Sequence, residues 1–349
     1  MNNIPLYQLH KRAGAAFISL NGCEVPYSFE DPVTEYDSIR HGLVVMDRSY
    51  VGRLWVTGKD GLDLLNRLST NKLDELSPGN GEASILTNNK GRVIDLLYVS
   101  RVNDDLLILT SPQTPNKIME WIELYTFLEE VNVENITEKC AMFSILGPQA
   151  RDFMGKFIGS LDIEMSRYEN RLVSIGGQQV TVFRSDPIES PGFDFIVERE
   201  GAMSLWETFM LEGAVPVGEQ CFDLARIGRG IPRYGAEIGD SVNPWEANLQ
   251  EHINFEKGCY IGQEVILRLN TYDKVKRRLM YLEFPKDDNV LVGDRLTENG
   301  KDIGQVTSVA REPGSGITFG LGFVRKNSLL SSVKLNSGKD SVSLSELSS

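Results

Sequence analysis

The chain is poor in the residues from which protein-built reactive centres are most often assembled. Its three histidines, His10, His41 and His252, lie far apart. A histidine-built metal site or a Ser-His-Asp triad is therefore not expected. Its four cysteines, Cys23, Cys140, Cys221 and Cys259, form no CxxC pair and no zinc spacing. Thiols so few and scattered suit a reducing, cytoplasmic setting. No stretch approaches the roughly 18 apolar residues that a membrane span requires. Polar residues are scattered through Met1–Gly14 without the apolar segment of a secretory signal. Positive charge is also short, with 36 Lys and Arg against 49 Asp and Glu and a net charge of −13. That balance argues against a general nucleic-acid binder and against an anionic membrane surface. One local exception is Lys274-Val275-Lys276-Arg277-Arg278, which reads either as a basic patch or as a solvated linker or strand edge. The glycine-rich stretches match neither a phosphate-binding P-loop nor a GxGxxG turn in its strand-to-helix context, so a nucleotide cofactor has no support.

What is present points to a globular chain of two or three domains, since 349 residues exceed one ordinary domain. Residues 1–50 read as a helix-rich opening. Val51–Gly58 alternates as a strand, and Lys59–Ser69 sets Leu62, Leu65 and Leu68 at helical spacing. Glu82–Thr87 and Val93–Val102 read as strands joined by the hairpin loop Asn88-Asn89-Lys90-Gly91. Leu106–Thr110 is a further strand and Pro115–Leu128 a helix. From about Lys276 the texture changes to short β candidates with glycine turns: Met280–Phe284, Arg295–Thr297, Ile303–Ala310, Thr318–Val324 and Ser332–Leu335. This predicts an α+β body over residues 1–275 and a small antiparallel barrel or sandwich over 276–349, with a serine-rich tail that frays.

Three segments are candidates for chemistry. Asp95 is a lone carboxylate in the apolar strand Val93–Val99. Aspartate is disfavoured in strands and costly to bury unless paired or used. Apolar surroundings would raise its pKa and suit it to proton transfer; the alternative is an Asp at a strand end or on the wet face. Asp223 and Arg226 lie three apart in a helix that runs into a Gly-Pro loop, so they share a face. The arginine fork is suited to a carboxylate or a polar heterocycle, or to a plain surface pair. Lys257-Gly258-Cys259-Tyr260-Ile261-Gly262-Gln263-Glu264 packs two glycines around a cysteine just before a helical stretch. It reads either as a reactive thiol on tight backbone or as a turn with a buried, inert cysteine.

Taken together, these segments resemble the glycine-cleavage T-protein (aminomethyltransferase) superfamily, which includes the YgfZ-type folate-binding proteins. Pro5–His10, Gly91–Leu97, Leu146-Gly147-Pro148-Gln149-Ala150, Arg233-Tyr234-Gly235-Ala236-Glu237 and Gly304–Ser308 with Gly320-Leu321-Gly322 carry the resemblance across nearly the whole chain. It implies a folate-binding body of mixed sheets and helices with a small C-terminal antiparallel β-barrel, and tetrahydrofolate as the bound molecule. It places the family's catalytic aspartate on Asp95, its pterin-binding carboxylate on Asp194, its helix arginine on Arg226 and its YGxE turn on Tyr234. Leu96 stands where the T-protein has a second aspartate. Asp186-Pro187-Ile188-Glu189 replaces its Gly-Tyr-Thr-Gly run. The Lys257–Glu264 segment resembles instead the YgfZ-type branch, with its cysteine at Cys259, and that branch implies iron–sulfur cluster maintenance.

Beside a plain folate-binding scaffold with no turnover, two functions follow from the resemblance. One is transfer of a one-carbon unit from a methylamine-type donor, borne by a lipoyl carrier protein in glycine cleavage, to tetrahydrofolate at Asp95. The other is a folate-binding accessory role for iron–sulfur enzymes, using Cys259. The longer cysteine motif sets the second slightly ahead.

Overall fold

The computed structural model describes residues 4–158, 164–188, 192–272, 274–285, 289–328, 333–335 and 341–347. The chain divides into two compact units. One comprises Met1–Asn66, Lys72–Ser84 and Leu97–Phe222; the other comprises Arg67–Asn71, Ile85–Leu96 and Asp223–Ser349.

The first unit is built on a six-stranded sheet in the order Asn170–Ile175, Gln178–Arg184, Phe193–Glu198, Cys140–Leu146, Val44–Asp47, Val215–Pro216. Its pairings are antiparallel except the last, where Val215 and Pro216 run parallel to Val44 and Val45. The strand Cys140–Leu146 is apolar at nearly every position and buried along its whole length, as a central strand covered on both faces must be. Phe143, Phe195, Phe209 and Trp206 form the middle of the core against it. Gly147 then turns the chain into the helix Ala150–Ile158. Its φ is +102°, and a Cβ there would lie 2.5 Å from the Gly42 carbonyl oxygen, so this position accepts only glycine. A five-stranded sheet runs Gly81–Thr87, Val93–Val102, Asp105–Thr110, Gly52–Thr57, Asn132–Asn135. The outer part of its first hairpin, Ile85–Leu96, belongs to the second unit. The expected amphipathic helix forms as Gly61–Leu68, with Leu65 and Leu68 at 2 % exposure or less; Leu62 is only half-buried, and Leu64, outside the expected stripe, is fully buried.

The opening segment differs from its helix-rich expectation. Between the helices Tyr7–Arg12 and Pro32–His41 lies an antiparallel hairpin, Ala16–Leu20 with Cys23–Ser28. Its two-residue loop is Asn21-Gly22, both at positive φ (55° and 81°), the turn that matches strand twist. The helix expected over Pro115–Leu128 is shorter, Pro115–Leu124. It ends at Leu124, after which the Glu129 carboxylate accepts from the amides of Phe127 and Leu128 and shapes a turn in place of further helix.

The second unit contains the helix Gln263–Thr271 and a six-stranded antiparallel sheet in the order Val333–Leu335, Arg295–Glu298, Lys301–Arg311, Thr318–Arg325, Arg277–Phe284, Ser343–Glu346. The sheet curls. A bridge joins Lys334, on one edge strand, to Ser341, just ahead of the other, and the Val342 amide donates to the Val333 carbonyl. This is the antiparallel, barrel-like architecture expected of the C-terminal region. Leu282, Leu296, Val306 and Val324 fill its interior. The strand Ser343–Glu346 falls in the stretch expected to fray. Ser332, in the expected fifth strand, and part of that tail lie outside the described residues.

Candidate functional site

Asp95 lies in the strand Val93–Val102 with a fully buried side chain. Its Oδ1 accepts from the Leu96 amide at 2.9 Å. One end of the strand is fixed by the loop that follows the YGxE turn: the Val93 amide donates to the Val242 carbonyl at 2.9 Å. Arg92 reaches the same loop, donating to the Ser241 carbonyl at 3.0 Å and lying 3.5 Å from Glu246. The wet-face reading of Asp95 therefore fails. It is a buried carboxylate in an apolar strand, with the Leu96 amide on its Oδ1.

Arg226 is 4 % exposed, so it is no surface pair. Its Nε donates to Asp223 at 2.5 Å, its Nη1 to the Ile231 carbonyl at 3.1 Å and its Nη2 to Ser308 at 3.2 Å. Glu237 completes the network. It is fully buried, 3.6 Å from Arg226 Nη1, and accepts from Ser308 at 2.6 Å and from the Arg233 amide at 2.9 Å. Asp223 also pairs with Arg233 at 2.9 Å. A buried charge of either sign is stable only when so surrounded. Arg226 thus ties the helix Glu219–Gly228, the YGxE turn and the C-terminal sheet together. Tyr234 is half-buried in that turn, where the Arg233 carbonyl accepts from three successive amides, those of Ala236, Glu237 and Ile238. Glu237 was legible only as part of the turn motif; its burial and its partners were not.

In the first unit Asp194 is 2 % exposed. Ser144 donates to its Oδ1, and Arg48 Nη1 lies 3.7 Å away. The Arg48 guanidinium also lies over the Phe222 ring, 5.0 Å from its centroid. Arg48 has no signal in the sequence beyond being a charge after an apolar run, and Ser144 none at all. In the altered loop that precedes Asp194, Asp186 accepts from Arg184 at 2.9 Å and from the Gly192 amide at 3.0 Å, closing the loop on itself. Glu189 lies outside the described residues.

The Lys257–Glu264 segment divides into an anchored part and an open part. Lys257 is 8 % exposed, and its Nζ donates to the carbonyls of Ser69 (2.8 Å) and Asn71 (2.6 Å) while sitting 5.4 Å from the centre of the Tyr260 ring. The Ile261 amide donates to the Arg67 carbonyl, and Thr87 Oγ1 donates to the Ile261 carbonyl at 2.6 Å. Gly262 has φ +83°, and a Cβ there would fall 2.5 Å from the Asn88 carbonyl oxygen. Tyr260 is 7 % exposed, its hydroxyl has no hydrogen-bond partner among the described residues, and burial pushes its pKa up to about 12. Gly258, by contrast, has nothing among the described residues within 4 Å of its Cβ position, and Cys259 is exposed. The reading of this cysteine as buried is excluded. The glycine that tightens the backbone is Gly262 and not Gly258.

Asp95, Arg226, Tyr234 and Cys259 all belong to the second unit and Asp194 to the first. Among the described residues no group of three or more His, Cys, Asp or Glu side chains is placed to hold a metal ion, and no helix is long and apolar enough to cross a membrane.

Comparison with known proteins follows the same lines. The family model for the GCVT N-terminal domain matches residues 6–257. A chloroplastic protein of Arabidopsis thaliana named as a transferase is 32% identical over 301 residues, covering 86% of this chain and 69% of that protein. An aminomethyltransferase of Caldanaerobacter subterraneus is 28% identical over 317 residues, covering 88% of this chain and 84% of its own. Among solved structures, the glycine cleavage system aminomethyltransferase T from Bartonella henselae superposes with a TM-score of 0.88 over 99% of this chain and 97% of that one, at 21% identity. At that identity the likeness is one of fold.

Proposed function

The chain belongs to the GCVT N-terminal domain family, and from that membership we propose that it binds tetrahydrofolate and transfers a one-carbon unit to it from a thiol-borne aminomethyl donor. The donor's nitrogen leaves as ammonia and its sulfur as the free thiol, each with one of the two protons lost from the folate nitrogens. The observation that carries this reading is the complete burial of Asp95 in an apolar strand. The Asp95 Oδ1 is oriented by the Leu96 amide. The carboxylate suits the role of orienting the folate nitrogen that receives the carbon and holding its proton. Bound tetrahydrofolate supplies that nitrogen. Tyr234, in the same unit as Asp95, is proposed as a further folate contact. Arg226, whose guanidinium is occupied by Asp223, Ile231 and Ser308, is proposed as the residue that positions the YGxE turn. Relatives named as transferases and aminomethyltransferases support the reaction class. A lipoyl carrier protein is the proposed bearer of the donor, and four free thiols favour a reducing compartment such as the cytoplasm.

Asp95→Asn keeps the shape of the side chain and removes its charge. Tetrahydrofolate affinity by calorimetry is expected to stay within about threefold, while methylenetetrahydrofolate formation from an aminomethyl donor falls by about 10²-fold or more, the range of a lost acid–base group. Equal turnover of the two proteins would sink the proposal.

A second reading rests on a different observation, the exposed thiol of Cys259 at the open end of an anchored loop. It makes the protein a folate-binding accessory to iron–sulfur enzymes, with Cys259 supplying thiol chemistry or a partner contact. In a deletion strain Cys259→Ala would then fail to restore iron–sulfur enzyme activity while retaining folate affinity. Full rescue by the variant discards this reading and leaves the transferase reading standing.

A further inference from the structure

The basic run Lys274–Arg278 has no part in either reading. Folding gives its members different tasks. The Lys274 ammonium lies over the Tyr272 ring, 5.4 Å from the centroid. Arg277 is occupied by the Ser241 carbonyl (3.2 Å), Glu246 (3.4 Å) and the Phe323 ring (4.4 Å). Arg278 lines a cleft of about 350 Å³ whose walls include Trp245, Leu269, Leu279, Lys326 and Glu346. That volume falls at the lower end of the range for small-molecule sites, and all of these residues belong to the second unit.

Three properties of the cleft point to one kind of ligand. Two cationic side chains, Arg278 and Lys326, line it in a chain whose net charge is −13, so it stands out as a place where an anion is attracted to an otherwise repelling molecule. Its aromatic wall is fixed in place. Trp245 Nε1 donates to the Ile266 carbonyl at 2.9 Å, and its ring stacks with Phe255 at 5.9 Å and 26°. A wall so held presents a flat apolar surface at little entropic cost on binding. The cleft also contains a carboxylate of the chain itself. Glu346, on the C-terminal edge strand, pairs with Arg278. The two side chains are 69% and 33% exposed, and a pair so open to water is held weakly. An incoming anion can therefore take the place of Glu346 on the arginine fork, whose geometry suits carboxylate and phosphate alike.

We propose that this cleft binds a small molecule that joins a planar apolar ring to a carboxylate or phosphate, and that Glu346 is its internal competitor. Trp245 and Leu269 take the ring, Arg278 and Lys326 take the anion, and Glu346 swings into solvent when the ligand enters. Folate binding at Asp95 is not required.

The test is calorimetric titration of the whole chain with benzoate, phenyl phosphate and the uncharged benzamide. Saturable binding of benzoate or phenyl phosphate, with none of benzamide, is expected, and which anion binds identifies the source of the charge. Arg278→Gln should weaken that binding at least tenfold. Glu346→Gln should strengthen it threefold or more, a gain that a misfolded variant cannot imitate. The proposal is overturned if neither anion binds, if benzamide binds equally well, or if Glu346→Gln leaves the affinity unchanged.

Discussion

Lys257→Met tests how the Lys257–Glu264 segment is held. Methionine reaches about as far as lysine into the same buried position but donates nothing. The carbonyls of Ser69 and Asn71, now 2.8 and 2.6 Å from the ammonium, lose their partner. Hydrogen bonds to a charged donor contribute roughly 1.5–3 kcal/mol each, so the pair contributes roughly 3–6 kcal/mol. Against this, methionine avoids the desolvation of an ammonium that is only 8 % exposed, which offsets part of the loss. A net destabilisation of about 3 kcal/mol follows. At a urea dependence of about 2 kcal/mol per molar, the midpoint of the second unit falls by about 1.5 M. Because two units need not unfold together, the measurement is hydrogen exchange by mass spectrometry over residues 67–71 and 254–262 alongside the urea curve. Both peptides should lose protection. A midpoint within about 0.3 M of wild type, with unchanged exchange, would show that water replaces the ammonium at no cost and that the anchoring argument is wrong.

Gly262→Ala puts a side chain at φ +83° and 2.5 Å from the Asn88 oxygen; a loss of about 2–4 kcal/mol is expected by denaturant titration, whereas Gly258→Ala should change stability by less than about 1 kcal/mol. Tyr260→Phe removes a buried hydroxyl with no partner among the described residues and should stabilise the protein by about 1 kcal/mol. Cys221 and Tyr260 are both raised by burial to about 12, from 9.0 and 10.0. The unfolded chain therefore releases these protons first, and their neutral forms lose their contribution to stability as pH rises from about 9 to 12; Tyr260→Phe should lessen this alkaline loss, and an unchanged profile would count against it. Ellman's reagent at pH 8 should modify Cys259 at once. Cys140 and Cys221, both buried, should react only in denaturant, and equal rates for all the thiols would contradict the burial pattern.

The sequence alone determined the local structure and the family. Leucine spacing gave the helix Gly61–Leu68, the Asn88–Gly91 loop gave its hairpin, and glycine turns gave the strands of the C-terminal sheet, because periodicity and turn chemistry are properties of neighbouring residues. The same rule would have found the Asn21-Gly22 hairpin, whose signal was present and outweighed by the helical look of its flanks. Only the tertiary structure decided what the charged residues do. Lys257 meets Ser69 across 188 positions, Ser308 meets Glu237 across 71, and Ser144 meets Asp194 across 50. No pattern within a segment encodes such partners. Burial decides their roles: it makes Asp95 a held carboxylate and Arg226 a tie between elements, and it leaves Cys259 open to solvent. In one basic run the partners differ instead: Arg277 is held by Ser241, Glu246 and the Phe323 ring, while Arg278 pairs with Glu346 and lines a cleft.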